Sequence, residues 1–222
     1  MKLNRTYASA ADLPPTLPVF PVAGALLLPR RPIQLTVFEP RYLTMLDDTL
    51  SGERLIGMIQ PKAGEDAVEP NPELCGIGCV GRIVQYAEIG DGRCFLSLLG
   101  VTRFRVEGEI TTLTPYRILH ADYAPFAQDF VEGAGEAEVD REGLLQALRD
   151  FAKANDLKID WDDIAKASNE TLVNSLSIMS PYGAREKQAM LEAADLKTRA
   201  DILVAIAQFD MAGGSEASRH LH

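Results

Sequence analysis

The spacing of apolar residues changes character near the middle of the chain. From about residue 13 to 123 they come in short runs, alternate with polar residues and are broken by glycine and proline, the pattern of strands and turns. From about 140 to 212 they recur every three or four residues, the pattern of helices with one buried face. Within the first half, Leu17–Pro21 reads as an extended segment whose prolines suit an edge strand. Ile33–Phe38 alternates, with β-branched residues at 33, 36 and 37, and predicts a second strand. Pro40 then suits a first helical position, and Tyr42, Leu43, Leu46 and Leu50 follow at helical spacing up to Ser51-Gly52. Leu55–Gln60 and Gly76–Glu88 read as strands separated by a polar loop over 62–74. Gly90-Asp91-Gly92 supplies a hairpin turn into a strand over Cys94–Leu99. Further strands are expected around Phe104–Glu107 and Tyr116–Tyr123. Six or seven short strands around one inserted helix predict a barrel-like sheet.

The stretch 124–139 is acidic and glycine-containing and reads as a linker. Beyond it, Asp140 is a candidate cap for a helix presenting Leu144, Leu145, Leu148, Phe151 and Ala152. Ser168 is a candidate cap for a helix carrying Leu172, Val173 and Leu176. Ser180-Pro181 reads as a further helix start, and Asp195 as the cap of a final helix with Leu196, Ala200, Leu203, Val204 and Ala207. The small, polar stretch 213–222 reads as a disordered tail. The expected class is α+β, with lobes at 13–123 and 140–212.

Composition narrows the function. At 222 residues and a formal net charge of -10, long-range attraction to a polyanion is not expected. No apolar run of membrane-spanning length occurs, about 18 residues or more, and Met1–Asp12 lacks an apolar leader core. Three cysteines, an odd number, with no export signal predict reduced thiols in the cytoplasm.

Catalytic signals are weak. Cys75 and Cys79 are separated by three residues, but no second ligand pair accompanies them, since 25 residues separate Cys94 from His120. On a strand the first two would lie about 13 Å apart at about 3.3 Å per residue. Cys94 with His120 is the one thiol–imidazole combination within the expected sheet. His220 and His222 lie in the tail. There is no G-x-S-x-G and no G-x-x-x-x-G-K-[ST]. Gly76-x-Gly78-x-x-Gly81 has the letters of a dinucleotide-binding loop but precedes a strand instead of a helix, so it reads as glycine-relieved strand geometry. No metal or cofactor is expected. The apolar run Ala25–Leu28 is either packed on the sheet or exposed for docking.

Several stretches carry a resemblance to a known family. They are Leu17-Pro-Val-Phe-Pro-Val22 leading through Leu28-Pro29 to Val37-Phe-Glu-Pro-Arg-Tyr42; Gly78-x-x-Gly81-x-Ile83 ahead of Asp91-Gly92-Arg93; Gly100-Val-Thr-Arg-Phe-Arg105; and Lys187-Gln188-x-x-Leu191-Glu192 followed by Arg199. Together they resemble the amino-terminal, substrate-binding domain of Lon proteases across about residues 13 to 210. The resemblance implies a PUA-like strand lobe followed by a helical lobe. It also implies a non-catalytic role in recognising unfolded or tagged polypeptides, as an adaptor or in protein quality control. The ATPase module and Ser–Lys peptidase that follow this domain in Lon proteases have no counterpart in the sequence, so a free-standing version is expected. Leu27, Leu28, Phe38, Glu39, Arg41 and Tyr42 are the candidate partner contacts. Two other readings stay open: an RNA-binding protein of PUA-like fold, and a small enzyme using Cys94 or His120.

Overall fold

The computed structural model describes residues 5–62 and 71–219, with side chains to residue 211. The chain forms two compact units. The first comprises residues up to Glu132 together with Tyr182–Leu191; the second comprises Gly133–Pro181 and the chain from Glu192.

The first unit is built on β1 (Thr16–Pro21), β2 (Pro32–Val37), α1 (Pro40–Ser51), β3 (Leu55–Ile59), β4 (Ile77–Glu88), β5 (Cys94–Ile110) and β6 (Ile118–Asp122). Among the described residues these strands form one six-stranded sheet in the order β2-β5-β4-β3-β1-β6, closed by a further β5–β6 pairing. The closed part is a five-stranded barrel, and β2 extends it beside the first half of β5. Inside lie Leu17, Val19, Leu55, Ile59, Val80, Phe104 and Leu119. Gly78 admits the Phe104 ring, since a Cβ there would come within 2.6 Å of the Met58 carbonyl and press on that ring.

Two strand expectations change. β1 is not an edge strand. Its first half pairs with β6 (Thr16–Pro18) and its second half runs parallel to β3 (Val19–Pro21). Each proline therefore lies in a half paired on one side only, where a missing N–H removes no second ladder bond. The strands expected at Cys94–Leu99 and Phe104–Glu107 are one, β5, because its ladder with β4 continues through Gly100, with an irregularity at Val101. The Gly100 N–H donates to the Arg31 carbonyl (2.9 Å) and the Gly100 carbonyl accepts from the Arg30 N–H (2.8 Å). The hairpin turn is as expected, with Gly90, Asp91 and Gly92 all at positive φ.

The stretch expected to be an acidic linker is folded. Ala124–Phe130 makes two 3₁₀ turns across a kink at Phe126 and buries Phe126 and Asp129. Asp129 (7% exposed) meets Arg103 (1%). Arg103 donates from Nε to Asp129 Oδ2 (3.0 Å), from Nη2 to Oδ1 (2.9 Å) and from its backbone N–H to Oδ2 (2.9 Å). Its Nη1 reaches the Leu191 carbonyl (3.2 Å), and its guanidinium carbon lies 4.6 Å from the centre of the Phe126 ring.

α5 (Ala184–Glu192) begins later than Ser180-Pro181 suggests, because Ser180 instead ends the preceding helix, its hydroxyl donating to the Leu176 carbonyl (2.6 Å). Through Leu191 it belongs to the strand-rich unit. Gln60, 2% exposed, explains why. Its amide accepts from Gly24 N–H (2.9 Å) and donates to the Ala184 carbonyl and to Gln188 (3.1 Å each), while Gln188 donates to the Ile77 carbonyl (3.1 Å).

The second unit holds α2 (Arg141–Ala154), α3 (Trp161–Lys166), α4 (Asn169–Met179) and α6 (Leu196–Arg219). Asp140, Ser168 and Asp195 cap α2, α4 and α6, accepting from Gly143, Thr171 and Thr198 N–H. Its buried face joins Leu144, Ala147, Leu172, Val173, Leu196, Ala200 and Leu203. Arg199 is buried among these and donates to Asn174 (2.8 Å). α3, capped by Asp160, carries too few apolar residues to have been recognised from periodicity. The helical backbone of α6 continues through 213–219, where the sequence pattern reads as a tail; residues 220–222, with His220 and His222, lie outside the described residues.

Candidate functional site

The corner joining β2 to α1 gathers four of the six candidate contacts. Glu39 is the residue before the helix, and its carbonyl accepts from the N–H groups of Tyr42 (2.9 Å) and Leu43 (3.0 Å). Arg41 folds back onto Glu39, donating from Nε (3.0 Å) and Nη2 (2.7 Å) to Oε2. Its guanidinium carbon lies 4.7 Å from the centre of the Tyr42 ring. Tyr42 points inward, its ring centre 4.3 Å from that of Phe20. Burial pushes the Tyr42 hydroxyl above its ordinary pKa. Phe38 points the other way and is 62% exposed. A bulky apolar side chain left in water at a rigid strand–helix corner is a ready anchor for a partner.

The remaining two candidates are interior. Leu27 is 1% exposed and Leu28 is 0%. Close backbone approach seats them: Gly81 leaves room for the Leu27 side chain, and Gly100 for the Leu28 carbonyl. Of the two readings of this run, the structure takes packing, and neither leucine meets a partner without unpacking the sheet.

The pairing register extends the corner into a face. In β2 exposure alternates, with Pro32, Gln34 and Thr36 outward and Val37 buried. In β5, Cys94, Leu96 and Leu98 are buried and strand parity puts Phe95, Ser97 and Leu99 on the other face, where Ser97 is itself buried at 7% exposed. Rows therefore run across the sheet as Pro32–Leu99–Arg82, Gln34–Ser97–Gln85 and Thr36–Phe95–Ala87. Phe38 continues the same parity beyond Thr36. Leu99 is 38% exposed, and Val84, which the register shift between Ile83 and Gln85 leaves without a partner, is 53% exposed. Apart from Arg82, which donates to the Tyr7 hydroxyl (2.8 Å), these rows contain no ionisable side chain. The sequence pattern contained this signal in the uncharged alternation of 32–38, but which strands lie beside it is a matter of register.

The cysteine–histidine pair does not form. His120 is exposed and sits opposite Gly108 of β5, whereas Cys94 begins that strand, a contour of roughly 45 Å away at about 3.3 Å per residue. Cys94 is buried, its thiol pKa raised chiefly by that burial, the reverse of an activated nucleophile. Cys79 is buried within β4 and Cys75 lies in the turn before it, both as free thiols. No group of three or more metal-ligating side chains that could hold an ion occurs among the described residues. The residues from Gly76 to Gly81 lie in the turn into β4 and in β4 itself, which is the strand geometry expected of them. No helix among the described residues is long and apolar enough to cross a membrane.

Comparison with known proteins identifies the fold. Residues 16–208 match the family described as ATP-dependent protease La (LON) substrate-binding domain. The Lon protease of Desulfosudis oleivorans is 28% identical over 195 residues, covering 84% of this chain and 23% of the relative. Lon protease 2 of Sorangium cellulosum is 31% identical over 202 residues, covering 86% and 24%. The chain thus spans about a quarter of the length of these relatives. Among solved structures, a Lon N-terminal domain protein from Xanthomonas campestris superposes with a TM-score of 0.60 at 23% identity, covering 86% of this chain and 97% of that one. The N-terminal domain of Mycobacterium avium complex Lon protease does so with a TM-score of 0.61 at 17% identity, covering 87% and 98%. With the match spanning most of the chain, its α+β architecture and its sequence agree: the protein belongs to the Lon substrate-binding domain family.

Proposed function

We propose that the protein is a non-catalytic module that binds polypeptide segments, and that the Phe38 corner with the uncharged face beside it is where they dock. The observation that carries this reading is Phe38, 62% exposed next to a strand without charge. The family description supports it, since the substrates of a protease are polypeptides. Glu39 and Arg41 neutralise one another, so the corner offers apolar surface and hydrogen-bonding groups with little net field. An RNA partner is disfavoured by the same face, which has no cluster of cations to neutralise phosphates. Recognition of unfolded or tagged chains, as an adaptor in quality control, fits these features, and three free thiols fit the reducing conditions of the cytoplasm.

Fluorescence anisotropy with fluorescein-labelled, reduced and alkylated α-lactalbumin tests the reading. Saturable binding in the micromolar range is expected, weakened about tenfold or more by Phe38→Ala with thermal stability unchanged. Absence of binding at concentrations of about 200 μM, equivalent to less than about 5 kcal/mol, overturns it.

A further inference from the structure

We infer that the occupant is a single extended polypeptide strand that adds to the open edge of β2, with its main chain hydrogen-bonded to that edge; this rests on the polypeptide-binding reading above. Among the described strands, β2 is the one with a single strand neighbour, pairing with β5 alone. The direction of its free groups follows from the ladder. Gly100 N–H donates to the Arg31 carbonyl, and Arg31 lies one residue before the Pro32–Leu99 pair. Antiparallel strands alternate between bonded and non-bonded pairs, so Ile33, Leu35 and Val37 turn their backbone groups toward β5. Gln34 and Thr36 turn their N–H and C=O groups outward, to the open edge. Pro32, with no N–H to offer, occupies the end of the strand.

Beyond Pro32, this edge carries no guard among its own residues. Exposed edges are ordinarily protected by lysine, proline, inward charge, bulges or a covering segment. β2 reads Pro-Ile-Gln-Leu-Thr-Val, without an ionisable residue, and its ladder with β5 runs unbroken from Pro32 to Val37. An edge of this length presents about 20 Å of pairing surface, enough for a peptide of about six residues. Alternate side chains of that peptide would lie beside Gln34, Thr36 and Phe38. The edge is neutral in a chain of formal charge -10, so the fitting segment is β-prone and free of acidic residues, with cationic flanks tolerated or favoured.

The test uses the whole protein and a fluorescein-labelled octapeptide of alternating valine and threonine with a lysine at each end. Strand addition buries the peptide's amides at one parity only. N-methylation at every second residue is therefore expected to abolish binding for one parity and leave it within about twofold for the other, and replacing two valines by glutamate to weaken it about tenfold. Thr36→Pro and Gln34→Pro each remove one open-edge N–H and spare the β5 ladder; each is expected to weaken binding about tenfold or more with little change in melting temperature. Should either variant fold poorly, the methylated peptides decide alone. Equal effects of the two methylation parities, with the unmodified peptide still bound, overturn strand addition and leave polypeptide binding intact. No binding of this peptide or of the unfolded protein overturns both. A dimer in sedimentation velocity that Thr36→Pro converts to monomer means that a second copy fills the edge, which also overturns the inference.

Discussion

The folded stretch after β6 depends on one buried ion pair, and removing one partner should expose that dependence. Asp129→Ala leaves the Arg103 guanidinium, 1% exposed, with the Leu191 carbonyl and the Phe126 ring but without the carboxylate that accepts from its Nε, its Nη2 and its backbone N–H. Desolvating a cation costs several kcal/mol, and a buried pair broken on one side typically loses about 3–5 kcal/mol. For a chain of this length about 2–4 °C accompanies each kcal/mol, so the first unit should melt about 6–20 °C earlier. The assay is urea unfolding followed by tyrosine emission, together with hydrogen exchange at Phe126 and Val131, whose N–H groups close the 3₁₀ turns on Tyr123 and Gln128. The single tryptophan, Trp161, belongs to the second unit and does not serve as the probe. Arg103→Met combined with Asp129→Leu removes both charges and should recover most of the loss, to within about 1 kcal/mol of the parent. A loss below about 1 kcal/mol for Asp129→Ala alone would refute the reasoning, because the carboxylate would then not be compensating a buried charge.

Two further outcomes follow from single positions. A Cβ at Gly100 would lie well inside 3.0 Å of the Leu28 carbonyl, whereas one at Gly108, on the same strand, meets nothing within 4 Å. Gly100→Ala should therefore cost about 2–3 kcal/mol and Gly108→Ala stay within about 0.5 kcal/mol in urea titrations; similar costs would contradict the packing described for Leu27 and Leu28. Tyr116 donates to Asp48 (2.7 Å), and burial followed by that bond pushes its hydroxyl from 10.0 up to about 12. A raised folded-state value holds its stabilisation fully below the unfolded pKa and loses it as pH rises through the folded one. Thermal melts should thus fall between about pH 10 and 12 in the parent and fall less steeply in Tyr116→Phe; identical pH dependence would exclude the Tyr116 contribution.

Much of the local structure was legible in the chain. The cap residues Asp140, Ser168 and Asp195, the start of α1 at Pro40 and the Gly90–Gly92 turn follow from the chemistry of a few neighbouring residues, and each appears where that chemistry places it. Phe38 could be nominated from sequence as part of the Phe-Glu-Pro-Arg-Tyr stretch, but that it faces solvent while Tyr42 is buried is seen only in the structure. What sequence alone left open depends on partners distant in the chain. The prolines of β1 resemble edge residues until its two halves are seen pairing on opposite sides. Asp129 resembles linker charge until Arg103, 26 positions away, is beside it. Leu27 and Leu28 resemble a docking loop until Gly81 and Gly100 open space for them. The free edge of β2 is likewise a property of which strand stands next to which. Caps, turns and periodicity are set within a few residues of contour. Burial, ion pairing and open edges are set by long-range pairing, and only the tertiary structure decides those.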